Sequence, residues 1–206
     1  MKNLTMPIPD DDIRSLEVGD SVTLSGVMIT GRDAVHKWMI DKFIEKTKPI
    51  EGDDQEVYDA IKPILDGSAI YHCGPVVAGL DTGDYAFVAA GPTTSIREEP
   101  YQGSVMQHFN VKAVIGKGGM GSHTLEACRE VPGVYLHAIG GAASLIAQSV
   151  KNVEAVYKMD FGVPEAIWVI AVEDFPAVVT MDSHGESLHI EVEGRSAKAL
   201  ERLLQG

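Results

Sequence analysis

Apolar residues along this chain fall into short runs punctuated by Gly, Pro, Asn and Asp, and the period of the runs alternates between two and 3.6. Ser21-Val-Thr-Leu-Ser-Gly-Val-Met-Ile-Thr30 reads as a strand, bent or bulged at Gly26. Thr30-Gly-Arg-Asp-Ala-Val-His36 then opens a helix, with Thr30 as its cap and Asp33 in its first turn. Val35, Met39 and Phe43 form an i, i+4, i+8 stripe that packs the helix on a sheet. Further strands are predicted over 69–73, 85–90, 111–115, 134–139, 153–158, 166–172 and 176–180. The run at 166–172 is almost wholly apolar and so central.

Helices are predicted over 56–65, interrupted near Pro63, over 100–110, from a Ser122 cap, over 142–150, and over 196–204. Residues 1–19 read as an extended lead-in, with Asp10-Asp-Asp12 placed to cap a helix before Ile13 and Leu16. Strand–loop–helix alternation with β-rich ends predicts an α/β fold, a mixed central sheet flanked by helices. The expected organisation is a single domain over 1–206, with 46–67 a polar surface excursion and 191–206 a C-terminal tail helix.

Charge narrows the partners. The net charge of −13 argues against nucleic acid or an anionic membrane surface. No apolar run approaches the length that crosses a bilayer, and the first residues lack the apolar segment of a secretory signal. Two cysteines, Cys73 and Cys128, are too few for a disulfide framework or for an iron–sulfur cluster, so no metal is expected on this chain and cytoplasm is the expected compartment. The seven histidines show no HxxxH or HExxH spacing.

Two loops carry the chemistry. Gly91-Pro-Thr-Thr-Ser-Ile-Arg97 and Gly116-Lys-Gly-Gly-Met-Gly121 each follow an apolar run and precede a helix. Loops of that kind present free backbone N–H groups at strand C-termini. Their donors are the hydroxyls of Thr93, Thr94 and Ser95, the cations Arg97 and Lys117, and the amides around Gly116 and Gly118. No carboxylate lies between Gly91 and Ile96, so the loops want an anion. Thr93 and Arg97 share a face if the loop begins a helical turn, and a hydroxyl beside a guanidinium can take part in proton transfer once its pKa is lowered. Arg32, aligned by Asp33 and with His36 four residues on, is suited to a forked grip on a carboxylate. The GxxxxGK[ST] spacing of nucleotide-triphosphate loops is absent.

Taken together, six stretches resemble one family: Ser25-Gly-Val-Met-Ile-Thr-Gly-Arg-Asp-Ala-Val-His36, Ile70-Tyr-His-Cys-Gly-Pro75, Gly91 to Arg97, Gly116 to Met120, Gly140-Gly-Ala-Ala143, and Gly162 to Pro176. The family is the β subunit, or C-terminal domain, of the class I fumarase and L-tartrate dehydratase iron–sulfur hydro-lyases. The resemblance implies a swivelling β/β/α domain that pairs with an α subunit, whose cysteines hold a 4Fe-4S cluster acting as a Lewis acid on the leaving hydroxyl. It further implies that Arg32, Arg97 and Lys117 clamp a dicarboxylate while Thr93 is the base, with Asp33, His36, Thr94, Gly116 and Gly118 in support. Fumarate and (S)-malate are the expected substrates, with tartrate the alternative and Ser95 and Ile96 among the residues that decide between them. A stand-alone anion-binding module is the non-enzymatic alternative, and a homodimer is expected of the chain when alone.

Overall fold

The computed structural model describes residues 1–205. A seven-stranded mixed sheet runs in the order β1 (Lys2–Thr5), β2 (Ser21–Thr30), β3 (Ala69–Tyr71), β6 (Ala113–Gly116), β7 (Val134–His137), β9 (Ile167–Met181), β8 (Val150–Tyr157). β1, β2, β3, β6 and β7 are parallel to one another in succession, whereas β9 is antiparallel to β2, β7 and β8. β9 also pairs with β2, so the sheet closes on itself through β2, β3, β6, β7 and β9. The fold is therefore mixed α/β with a central mixed sheet and flanking helices.

Side-chain alternation divides the interior in two. Ala69 and Tyr71 of β3, Ala113 and Ile115 of β6, Val134 and Leu136 of β7, and Trp168 and Ile170 of β9 point into one core. Ile70, Val114, Tyr135, Ile167 and Val169, the residues between them, point into a second. That second core is covered by α2 (Asp33–Met39), which runs into a π-helical turn Ile40–Ile44, and by α3 (Asp54–Leu65), α4 (Glu99–Phe109) and α5 (Ser122–Glu130). Two short helices, α1 (Asp10–Arg14) and α6 (Ala143–Ala147), border the first core. No helix among the described residues is long and apolar enough to cross a membrane.

Several expectations change. The runs at 166–172 and 176–180 are one strand, β9, which passes through Pro176 because Asp174 takes a left-handed turn (φ 51°) that absorbs the irregularity. The run at 85–90 does not join the central sheet; β5 (Ala86–Ala89) pairs only with β4 (Val76–Ala78) in a small separate hairpin, and Val88 stays 54% exposed. α3 continues past Pro63 to Leu65, since Val57, Ile61 and Leu65 are buried and their packing outweighs one lost backbone hydrogen bond. The tail helix begins earlier, as α7 (Leu188–Gln205), and residues 190–205 are exposed throughout. The lead-in over 1–19 includes a strand, β1, and the acidic run Asp10–Asp12 opens α1, with Pro9 as the residue before it.

Candidate functional site

Because β2, β3, β6 and β7 are parallel, the residues that follow them emerge at one edge: Gly31-Arg32, His72 to Gly74, Lys117 to Gly119, and Ala138 to Gly141. The Gly91 loop, arriving from β5, is stitched across that edge. Both the Thr93 N–H and its hydroxyl donate to the His72 carbonyl, at 2.8 and 3.1 Å. Lys117 N–H donates to the Thr93 carbonyl at 3.2 Å, and Ser95 N–H to the Lys117 carbonyl at 3.0 Å. The two glycine-rich loops therefore form one surface. Glycine is required in it twice: a Cβ at Gly116 would overlap the Ser95 hydroxyl, and Gly118 has φ 81°.

The three cations stand around this seam. Arg32 is the N-cap of α2; its Nη1 pairs with Glu165 Oε1 at 3.0 Å, while its Nε is buried with no hydrogen-bond partner. Lys117 lies along Gly140 and makes no ion pair among the described residues. Arg97, in the 3-10 turn Ser95–Glu98, is about half exposed and lies 3.8 Å from Asp33 Oδ1. Thr93 is half-buried and Thr94 exposed.

Beneath the seam is a buried polar layer. His36 Nε2 and His72 Nε2 both lie 2.8 Å from the Gln102 amide, His36 Nδ1 lies 2.9 Å from the Arg32 carbonyl, and His72 Nδ1 lies 2.8 Å from Ser95 Oγ. Tyr135 O–H donates to the same Ser95 oxygen at 2.9 Å. Burial, and for His72 the neighbouring His36, push both imidazoles below the usual histidine range, His72 to about 3, so both rings are neutral. Both Nε2 atoms face Gln102 Oε1, whose amide nitrogen is buried with no hydrogen-bond partner among the described residues. His72 Nε2–H donates to that oxygen, and Ser95, which accepts from Tyr135, is left to donate its own proton to His72 Nδ1. The layer fixes from below the carbonyl that holds Thr93 and the cap residue that is Arg32.

Three acids were invisible as site residues in the sequence. Glu165 reaches the start of α2, accepting from Ala34 N–H at 3.2 Å while pairing with Arg32. Thr30 is not the cap; its hydroxyl is turned inward, bonded to Trp168 N–H at 3.2 Å. Glu99, not Ser122, caps α5, accepting from Gly121 N–H at 2.7 Å and His123 N–H at 2.9 Å. Glu98 is fully buried, and neither of its oxygens has a partner. Burial first, and then Asp33, push its carboxyl up to about 8. The Glu98-Glu99 pair directly after Arg97 was the one available signal. Ser95 is fully buried between His72 and Tyr135, so it does not face a substrate, whereas Ile96 is 50% exposed.

The side chains do not suit an iron–sulfur cluster. Cys73 and Cys128 are buried in different cores, and burial pushes both thiols up to about 12. No group of three or more His, Cys, Asp or Glu among the described residues is arranged to hold a metal ion.

A parallel-strand edge lined with glycine amides, hydroxyls and three cations is thus the candidate site of an α/β domain. Its sequence matches the model of the fumarase C-terminus family over residues 2–192, and the chain belongs to that family. A protein of Geobacillus stearothermophilus provisionally named a class I fumarate hydratase is 50% identical over 197 residues, covering 96% of this chain and 35% of its own length. The L(+)-tartrate dehydratase subunit beta of Escherichia coli K12 is 38% identical over 192 residues, covering 92% of this chain and 87% of its own. A provisionally named β subunit of the same enzyme from Methanocaldococcus jannaschii is 38% identical over 195 residues, covering 94% and 93%. The chain thus spans about a third of the Geobacillus relative and most of the two β subunits. Most of α7 lies beyond the family match.

Proposed function

We propose that this chain is the β subunit of a two-subunit hydro-lyase that interconverts fumarate and (S)-malate. The observation that carries the reading is the hydrogen-bonded seam that ties Thr93 and Ser95 to Lys117 at the edge where Arg32 and Arg97 stand. In this reading Arg97 and Lys117 grip the two carboxylates, and the unmet Nε donor of Arg32 adds a third contact. Thr93 removes the proton from carbon. Its alkoxide is costly, and the adjacent cations together with exclusion of water by a partner lower that cost. The bond from the Thr93 hydroxyl to the His72 carbonyl sets the hydroxyl's orientation in the resting site.

The substrate and the assembly rest on different relatives. Identity is higher to the fumarate hydratase, which favours fumarate. The relatives named as β subunits match this chain over most of their length, which favours pairing with a separate α chain. The iron–sulfur cluster belongs, in this proposal, to that α chain, since the cysteines here do not fit one. A tartrate dehydratase β subunit is the second reading, carried by the same β-subunit matches. Anaerobic co-expression with the candidate α chain, followed by parallel assays of fumarate hydration and L-tartrate dehydration, separates them. Turnover of fumarate is expected; turnover of tartrate alone promotes the second reading, and a well-formed, cluster-loaded complex active on neither leaves an anion-binding module.

A further inference from the structure

We propose that Glu98 is a positioning residue for the anion clamp: its carboxyl group donates a hydrogen bond to Asp33, which in turn holds the Arg97 guanidinium for a substrate carboxylate. Both oxygens of Glu98 and Oδ1 of Asp33 are buried without a hydrogen-bond donor, although the two side chains are close enough to bond. Two facing carboxyl groups with no other donor are satisfied only by sharing one proton. The shared proton belongs on Glu98, the fully buried member, because Asp33 is partly exposed and has Arg97 Nε 3.8 Å from its Oδ1. The chain of contacts is then Glu98 O–H to Asp33 carboxylate to Arg97.

The arrangement matters because the protein already carries a net charge of −13. With Glu98 neutral, Arg97 answers one carboxylate and keeps attraction for a second, which the ligand supplies. With Glu98 ionised, two anions sit beside Arg97, draw it inward and repel a dianion. The titratable and charged groups facing Glu98 are Asp33 of α2, Arg97 of its own turn and Tyr135 of β7, with the His36–His72 pair beyond. His36 and His72 are held neutral by burial, and burial pushes the Tyr135 hydroxyl up to about 12. Glu98, raised to about 8, is therefore the group that changes charge between neutral and mildly alkaline pH.

The role toward a substrate carboxylate rests on the hydro-lyase reading; the link from Glu98 through Asp33 to Arg97 does not. The test keeps them apart. In the full chain alone, carboxyl carbon NMR follows Glu98, assigned by its loss in Glu98→Gln, and nitrogen NMR follows Arg97 Nε. The expected result is one transition near pH 8 seen at both nuclei, with the Arg97 transition absent in Glu98→Gln, whose amide donates to Asp33 at every pH. Glu98 already ionised at pH 6, or an Arg97 signal indifferent to it, overturns the proposal whatever the enzyme does. In the assembled complex, KM for the dicarboxylate should rise about tenfold from pH 7 to pH 9 while kcat changes far less, as loss of one required proton near pH 8 demands. Glu98→Gln should flatten that rise and Glu98→Leu should raise KM at all pH values. A KM profile unchanged in both variants refutes the positioning role.

Discussion

Asp54 and Glu98 are both buried carboxyl groups at the start of helices covering the same core, and their surroundings could hardly differ more. Asp54 accepts from Trp38 Nε1 at 2.8 Å, Lys158 Nζ at 2.7 Å and Glu51 N–H at 2.9 Å, with Lys42 Nζ at 3.1 Å. Burial opposes its charge, but those donors outweigh burial and hold its carboxyl far below the usual range. Lys158, itself buried and only 5.5 Å from the centre of the Trp38 ring, ties the end of β8 to α3. Glu98 has no donor among the described residues. Burial alone does not set a carboxyl's state; its partners do. The Asp54 region devotes its ion pairs to stability, while the Glu98 region leaves polar atoms unmet at the edge where a ligand is proposed to bind.

The two acids act on stability in opposite directions with pH. Asp54, depressed in the fold, contributes stability above the ordinary carboxylate range that is lost as pH falls. Glu98, raised from 4.5 to about 8, favours the fold at low pH, and that contribution is lost as pH rises through this window.

The comparison can be broken at several points. The largest effect expected at the site is Arg97→Ala in the assembled complex, a loss of kcat/KM of about a hundredfold or more with little change in Tm, checked by steady-state kinetics beside a thermal melt. On the structural side, Asp54→Ala takes one carboxylate from buried Lys158, which keeps Asp53, and from partly buried Lys42, which keeps Glu51, and should cost about 3 kcal/mol, measured by urea unfolding at pH 7; a loss below roughly 1 kcal/mol would mean the cluster is ornamental. Glu98→Gln should do the reverse of Asp54→Ala. Its Tm relative to the unsubstituted chain should climb between pH 5 and pH 8, at roughly 2–4 °C for each kcal/mol of relieved ionisation. The smallest effect marks the baseline: Arg195→Ala removes the exposed pair with Glu191 in α7 and should leave Tm unmoved within error.

Much of this was legible in the sequence where the signal is local. The alternation of Ser21 to Thr30 gives β2, and the glycine breaks after the apolar runs locate both loops. Legibility fails where the deciding partner is distant. Glu165 caps a helix 131 residues before it, Glu99 caps one 22 residues after it, and neither is visible to a cap rule that reads the preceding residue. Ser95 was read as an outward donor and Thr30 as a helix cap, and only the packing of His72, Tyr135 and Trp168 turns both hydroxyls inward. Pro63 was read as an interruption and Pro176 as the start of a separate strand, yet burial and bulging carry the elements through them. Glu98 was passed over because charge alone does not reveal which carboxyl lacks a donor.

The most direct measurement compares Thr93→Ala and Thr94→Ala in the cluster-loaded complex with the α chain, by kcat for fumarate hydration. Thr93→Ala should lose about a hundredfold to ten-thousandfold, the usual worth of a positioned base, while Thr94→Ala stays within about tenfold of the unsubstituted complex. Equal retention of activity in both, or loss confined to Thr94→Ala, would contradict the assignment of the half-buried threonine tied to His72 as the proton-accepting group.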